Sequence, residues 1–333
     1  MNALFIGGTG NISSACSLAA LAAGWELFHL NRGRHGDLSG VRTLHADIHD
    51  RDAVRAALGE LRFDVVANFI AYKPADVERD IELFADRCRH YLFISSATVY
   101  QKPPVHPLIT ESTPRCNPFW EYARDKIACE ERLEAAYRDA GFPMTIVRPS
   151  LTYATRLPVS LGSAGSWAVV ERMRREQPIV VHGDGSSLWT VTHSDDFARG
   201  FVGLMGNPAA IGHAFHIVAD ELLSWDRIYQ TLAEALGVRA KLVHLPSDLI
   251  CRAEPSLTGN LLGDKTHSSI FDNTKIKSFV PGLRFEIPFR VGVRRVLAWF
   301  NADPARQVID ASFNAMTDRL LAIYDDFVKR PSP

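Results

Sequence analysis

The stretch ALFIGGTGNISSACSLAALAA (3–23) sets four apolar residues directly before a glycine cluster and an Ala/Leu-rich run directly after it. A chain that turns this sharply from strand into helix has few folds open to it. Gly7 permits the tight turn, Gly10 lets the backbone approach a charged ligand closely, and Ser13 holds the third small position, where strand and helix pack. Downstream, the pattern predicts strands over 26–30, 43–46, 65–69 and 91–95, with helices over 50–58 and 75–88. The strands carry continuous rather than alternating apolar residues, so both faces of their sheet must be covered. The expected class is α/β, a doubly wound parallel sheet.

Five prolines between positions 100 and 119 mark a long loop. A helix is expected over 120–140, stopped by Gly141, and a strand over 145–147. Beyond this the pattern loosens into shorter pieces, among them a helix over 167–175, as a smaller lobe assembled from insertions would read. The nucleotide-binding domain is therefore placed at 1–151, completed near 190–212, and a substrate lobe at 152–190 and 213–333.

Composition narrows the partners. Lys plus Arg number 37 against 38 for Asp plus Glu, a formal charge of −1, so no global basic field awaits a nucleic-acid backbone. No run approaches eighteen apolar residues, and the start of the chain lacks a signal-like pattern. The 5 cysteines are scattered, with no CxxC pair and no Cys/His cluster. The reading is a reduced, cytoplasmic protein without metal, membrane or nucleic-acid partners.

Strand, glycine turn and helix in this order are the context of a dinucleotide fingerprint, with the diphosphate on the helix N-terminus. Gly7, Thr9, Gly10, Asn11 and Ile12 are the candidate contacts. The second strand ends in Asn31 and Arg32, with Arg34 and His35 behind, where an acidic residue would select a free ribose. A guanidinium fork there suits a 2′-phosphate, favouring NADP, with NAD the alternative. Asp47, followed by Ile48, is placed to accept from the adenine amine; capping the helix near Asp50 is its competing role.

Three further features combine. Ser95 and Ser96 close the fifth strand, and Tyr122 and Lys126 stand at i and i+4 on one helical face. A tyrosine can give or take a substrate hydroxyl proton if a neighbouring ammonium favours its phenolate. Lys126 has the reach to meet the nicotinamide ribose, and Ser96 would hold the substrate oxygen.

The motifs GGTGNI, SSATVY (95–100) and the Tyr122/Lys126 pair resemble the extended short-chain dehydrogenase/reductase superfamily, the NAD(P)-dependent epimerase/dehydratase group. IVRPSLTY (146–153), VHGDGSSLWTVTHSDDFARG (181–200) and FDNTKIK (271–277) are similar to its later segments. That resemblance implies a Ser96, Tyr122, Lys126 catalytic set. It passes Asn68, Phe69 and Ile70 beside the cofactor and gives Arg148 the nicotinamide side of the cleft. The substrate would be a sugar or nucleotide sugar, contacted by Ser96, Ala97, Thr98, Tyr122 and Trp189.

Two departures matter. Ala97 and Thr98 replace the acidic pair of sugar dehydratases, and Trp189 stands where an arginine often meets the diphosphate, leaving Trp189 either a stacking surface or core. Arg156, Arg172 and Arg175 are candidate replacement cations. The resemblance also implies a homodimer, with Phe84, Ile127 and Leu133 on outer helix faces or, alternatively, in the core. A stem-loop RNA-binding branch of the superfamily and a reductase of non-sugar alcohols are the alternative functions. Arg172, Arg174 and Arg175, like Arg290, Arg294 and Arg295, read as solvated helix faces, and His193 to Asp196 as a loop or helix cap rather than a metal site.

Overall fold

The apolar runs pair with one another in parallel. In the computed structural model, which describes residues 1–33, 36, 38–161 and 167–329, seven of them form a single sheet. Its strands include β1 (Asn2–Ile6), β2 (Glu26–Asn31), β3 (Val41–His45), β4 (Val65–Asn68) and β5 (Tyr91–Ile94). Met144–Pro149 and Ala214–Ile217 complete it. The order is Ala214–Ile217, Met144–Pro149, β5, β4, β1, β2, β3. Phe5 lies opposite His29 on one side and Ala67 on the other, so the order reverses at β1 and β4. The crevice outside the carboxyl ends of these two strands is where such sheets take a ligand.

Helices cover both faces, as the continuous apolar strands require. α1 (Ser13–Ala22) and the helix Ser194–Leu204 bury Cys16, Ala20, Phe197 and Phe201 on one face. α2 (Arg51–Leu58), α3 (Pro74–Phe84) and α4 (Glu121–Ala140) cover the other. Asp50 caps α2 by accepting from the Ala53 N–H at 3.0 Å, and Gly141 ends α4 at φ +67. The last sheet strand takes in residues 214–217, beyond the point where the lobe was expected to resume.

Two of the three residues named for a dimer face are taken by the core. Phe84 and Leu133 are fully buried between helices and sheet, and Ile127 packs partly buried against the cluster around Tyr100. Apolar residues on a helix adjoining a two-sided sheet go to the sheet first.

The lobe has a separate core around Trp167, Trp225, Tyr229 and Phe300, wrapped by Trp225–Leu236, Phe289–Asn301 and Ala311–Lys329. Arg290, Arg294 and Arg295 face outward as expected. Arg172 does not: it is buried, donates from Nε to the Pro178 carbonyl at 3.1 Å and pairs with Asp318 at 2.8 Å. At 193–196 the cap is His193 itself, whose Nδ1 accepts from the Asp195 N–H, while buried Asp196 accepts from the Glu286 and Ile287 N–H groups. No described helix is long and apolar enough to cross a membrane.

His90, 1% exposed, offers a test of this packing. Its Nδ1 accepts from the Gly206 N–H at 3.2 Å, so Nε2 donates to Thr145 Oγ1 at 2.7 Å, and the ring is held neutral. Burial lowers it from 6.5 to about 4. The unfolded chain therefore binds the extra proton between those values, and the contribution is complete above pH 6.5 and lost as pH falls towards 4. Urea unfolding at pH 7 and pH 5 should show wild type losing about 2 kcal/mol more than His90→Gln.

Candidate active site

β1 ends at Ile6, and the chain reverses through Gly7 at φ +81. A Cβ at Gly7 would stand 2.5 Å from Ile70 Cγ2, and one at Gly8 2.4 Å from His29 Nε2. Both glycines are therefore sterically required. Ser13 locks the turn: its Oγ accepts from the Gly10 N–H at 2.8 Å and donates to the Gly7 carbonyl at 2.7 Å. The residue expected to serve close packing thus also closes the loop. α1 then begins without a side-chain cap and without an acid in its first turn, leaving its N-terminal partial charge available to an anion.

A cavity of about 600 Å³ opens over this turn. Gly7, Thr9 and Gly10 form its floor, with Ile70 opposite. Asn31 and Arg32 line its far end with Asp47 and Ile48. Arg32 lies 3.7 Å from Asp47, both about half exposed, while Asp47 Oδ1 accepts from the His49 N–H at 3.1 Å. Asp47 thus belongs to the cavity and Asp50 to the helix cap. Arg34 and His35 lie outside the described residues. Tyr72, Lys73 and Asp76 also line the cavity, and sequence reading missed them. They sit on the loop after β4 and the start of α3, where no local pattern announces a wall.

Four expected cofactor residues have other engagements. Asn11 ties the turn to the lobe: its Nδ2 donates to the Thr152 carbonyl at 3.2 Å, and its Oδ1 accepts from the Thr155 N–H at 3.1 Å. Ile12 and Phe69 pack into the core, Phe69 with its ring centroid 5.3 Å from that of Phe5. Asn68 donates to buried Asp80 and accepts from the Ile70 N–H at 2.8 Å, shaping the wall from beneath.

Arg148, expected on the nicotinamide side of the cleft, is engaged with a buried carboxylate. Its guanidinium grips Glu130 at 2.9 and 2.6 Å and donates to the Tyr100 hydroxyl at 3.2 Å. Glu130 is fully buried and also receives Ser95 Oγ at 2.5 Å and Arg115 at 2.9 Å. Burial pushes its carboxyl up, but Arg148, Ser95 and Arg115 together pull it below the ordinary value. Glu130 stands at i+4 from Lys126, so the helical spacing that paired Tyr122 with Lys126 was the signal for it too.

Ser96, Tyr122 and Lys126 do come together. Ser96 Oγ accepts from the Thr98 N–H at 3.2 Å and from Thr98 Oγ1 at 3.0 Å, and lines the same pocket as the Tyr122 phenol. Burial pushes that phenol up to about 12, against the Ser96 hydroxyl, which lowers it. One turn on, Lys126 is 1% exposed and donates to the carbonyls of Ala71 and Ile94, each at 2.7 Å. Burial pulls its ammonium down to about 8. It lies 4.8 Å from the ring centroid of Tyr72 and 5.9 Å from that of Tyr122.

A second pocket, of about 360 Å³, lies beyond Tyr122 towards the lobe. All five expected substrate contacts line it: Ser96, Ala97, Thr98, Tyr122 and Trp189. Trp189 is 2% exposed and packs 5.6 Å from Trp225, so it is at once lobe core and pocket wall. Of the candidate cations only Arg156 reaches this pocket; Arg175 pairs on the surface with Glu171 at 2.7 Å.

A doubly wound sheet with a glycine turn at its reversal point is the architecture of dinucleotide-binding proteins. Residues 3–218 match the NAD dependent epimerase/dehydratase family, and the chain belongs to that family as an NAD(P)-dependent enzyme. It is 27% identical over 252 residues to a 2'-dehydrokanamycin reductase of Streptomyces kanamyceticus, covering 74% of this chain and 70% of the relative. It is 26% identical to a chloroplast stem-loop binding protein of Arabidopsis thaliana, covering 60% of this chain and half, 50%, of that protein. A UDP-glucose 4-epimerase of Thermotoga maritima shares the fold, at 21% identity and a TM-score of 0.71 over 91% of this chain and 99% of that one.

Removing Glu130 should expose how much the site leans on it. Glu130→Ala leaves Arg148 buried without its counter-charge and should cost about 3–5 kcal/mol in urea unfolding at pH 7. A loss under about 1 kcal/mol would show that the network is dispensable.

Proposed function

We propose that the protein is an oxidoreductase of a secondary alcohol, or of its ketone, in a sugar-sized substrate, with Ser96, Tyr122 and Lys126 managing the proton. The observation that carries this reading is that Ser96 and Tyr122 line the smaller pocket while the Lys126 ammonium lies 5.9 Å from the Tyr122 ring centroid and 4.8 Å from that of Tyr72, which lines the larger cavity. The larger cavity fits a dinucleotide by its chemistry: glycines whose side-chain space is already filled, an uncapped helix N-terminus, and Arg32 at the far end. A nicotinamide nucleotide bound there would supply hydride exchange.

The residues do the rest. Ser96 holds the substrate oxygen beside the Tyr122 phenol. With its ordinary acidity suppressed by burial, Tyr122 rests protonated and is a donor to a ketone oxygen being reduced. Run in reverse, it must be made a base, and the nearby Lys126 ammonium favours that state. Ala97 and Thr98 supply no acid or base for water loss. Among the described residues the carboxylate lining the pocket is Asp264, and it is paired with Lys265 at 3.2 Å. Hydride exchange without dehydration is the chemistry these groups serve. Likeness to a named reductase supports a single net transfer, and the epimerase fold supports two opposed ones on one substrate.

Arg32 favours NADP over NAD, although Asp47 draws off part of its charge. Calorimetric titration should give tighter binding of NADP, and Arg32→Ala should weaken NADP selectively. Failure to bind either nucleotide would end the oxidoreductase reading.

Tyr122→Phe should lower turnover by at least ~100-fold with nucleotide affinity intact. For wild type, kcat/KM should fall above pH about 8, because Lys126 loses its proton there. Full rate in Tyr122→Phe would remove the tyrosine from the mechanism.

A further inference from the structure

The substrate pocket holds more positive charge than its own walls neutralise. Arg156 and Lys265 line it, against the single carboxylate of Asp264 among the described residues. Arg156 is exposed and has no ion pair among the described residues. Directly behind the wall lies Lys102, 3% exposed. Its Nζ donates to Ser269 Oγ at 3.1 Å, and Ser269 itself lines the pocket. No described carboxylate lies within ion-pair distance of Lys102. Its ammonium stands 5.8 Å from the centroid of Trp189, whose indole N–H is buried without an acceptor.

A buried ammonium with one neutral partner is costly unless something else compensates it. Burial already draws Lys102 below its ordinary value, opposed by Asp264, and Lys265 adds to the depression. These charges are built into the fold. Lys265 ends a π-helical turn, Leu261–Lys265, of a kind common at functional sites. Its carbonyl receives His182 Nε2 at 2.9 Å and the Trp225 indole N–H at 3.2 Å, which fix the turn against the lobe core. Lys102 itself is buried, and there the field of a cation is screened less than in bulk water.

We propose that the pocket lined by Arg156, Lys265 and Ser269, and backed by Lys102, holds a subsite for an anionic oxygen group, so that the substrate is a sugar-sized alcohol carrying a carboxylate or a phosphate. This rests on the assignment of that pocket to the substrate. Its size argues for one ring with one anionic substituent rather than a nucleotide-linked sugar. At about 360 Å³ it is near the lower end of ligand cavities. The unpaired Trp189 N–H offers a further donor to the same group.

The test uses the full chain saturated with NADP⁺ and calorimetric titration with four probes: glucuronate, its methyl ester, glucose 6-phosphate and glucose. At least one anion should bind roughly 10-fold or more tightly than its neutral counterpart. Glucuronate against its ester reports carboxylate preference, and glucose 6-phosphate against glucose reports phosphate preference. Lys102→Met and Arg156→Ala should each shrink that ratio to about 3-fold or less, with affinity for NADP⁺ and for the neutral sugars unchanged. Anions that bind no better than neutral probes, including silence from all four, overturn the subsite. So does a preference that survives both substitutions. If Lys102→Met fails to fold, exposed Arg156→Ala decides alone. Loss of the NADP⁺ signal itself would instead overturn the oxidoreductase reading. Intact NADP⁺ binding and a Tyr122-dependent rate, without anion preference, would overturn only the subsite.

Discussion

The Lys126 ammonium is the point on which the site is assembled. It reaches from α4 to the carbonyl ends of two different segments, Ala71 after β4 and Ile94 at the end of β5. A buried cation must find acceptors, and here they are the strand ends themselves. Its two bonds therefore set the height of α4 against the sheet. That height decides where Tyr122, one turn earlier, meets Ser96. The same burial that makes these bonds strong lowers the ammonium towards neutrality, so the anchor is sensitive to alkaline pH.

The next turn of α4 repeats the device with opposite sign. Glu130 is anionic and fully buried, and Arg148, Arg115 and Ser95 converge on it. Arg148 comes from the neighbouring sheet strand Met144–Pro149, and Ser95 directly precedes the serine of the active site. One helix face thus carries Tyr122, the anchoring cation and the anchoring anion in successive turns. The strands they grip are neighbours in the sheet. A charge-for-charge arrangement of this sort contributes registry more than net stability.

Coupling between nucleotide domain and lobe is equally economical. Asn11 leaves the glycine turn to hold the backbone at Thr152 and Thr155, next to Arg156 at the substrate pocket. Trp189 brings the lobe core up to the catalytic wall. The two cavities are consequently neighbours, with Tyr122 at the pocket and Tyr72 at the cavity separated by 6.4 Å between ring centroids. Chemistry placed between them needs both.

The sequence by itself determined the parallel sheet, the turn at Gly7 and the face shared by Tyr122 and Lys126. These follow from local rules: apolar runs of strand length, glycine where a side chain has no room, and 3.6 residues per turn. It also placed Ser96, Ala97, Thr98, Tyr122 and Trp189 at one pocket through motif resemblance. What it left open is long-range. Arg172 reads as a surface arginine and Arg148 as a cleft residue until Asp318 and Glu130, 146 and eighteen positions away in the chain, claim them. Phe84 and Leu133 look like candidates for a partner until the sheet takes them. Lys102 is ordinary in sequence and becomes unusual only when folding buries it behind the pocket wall. Only the tertiary structure decides such matters, because the partner of a charge and the cover of an apolar face are set by distance in space, which spacing along the chain does not encode.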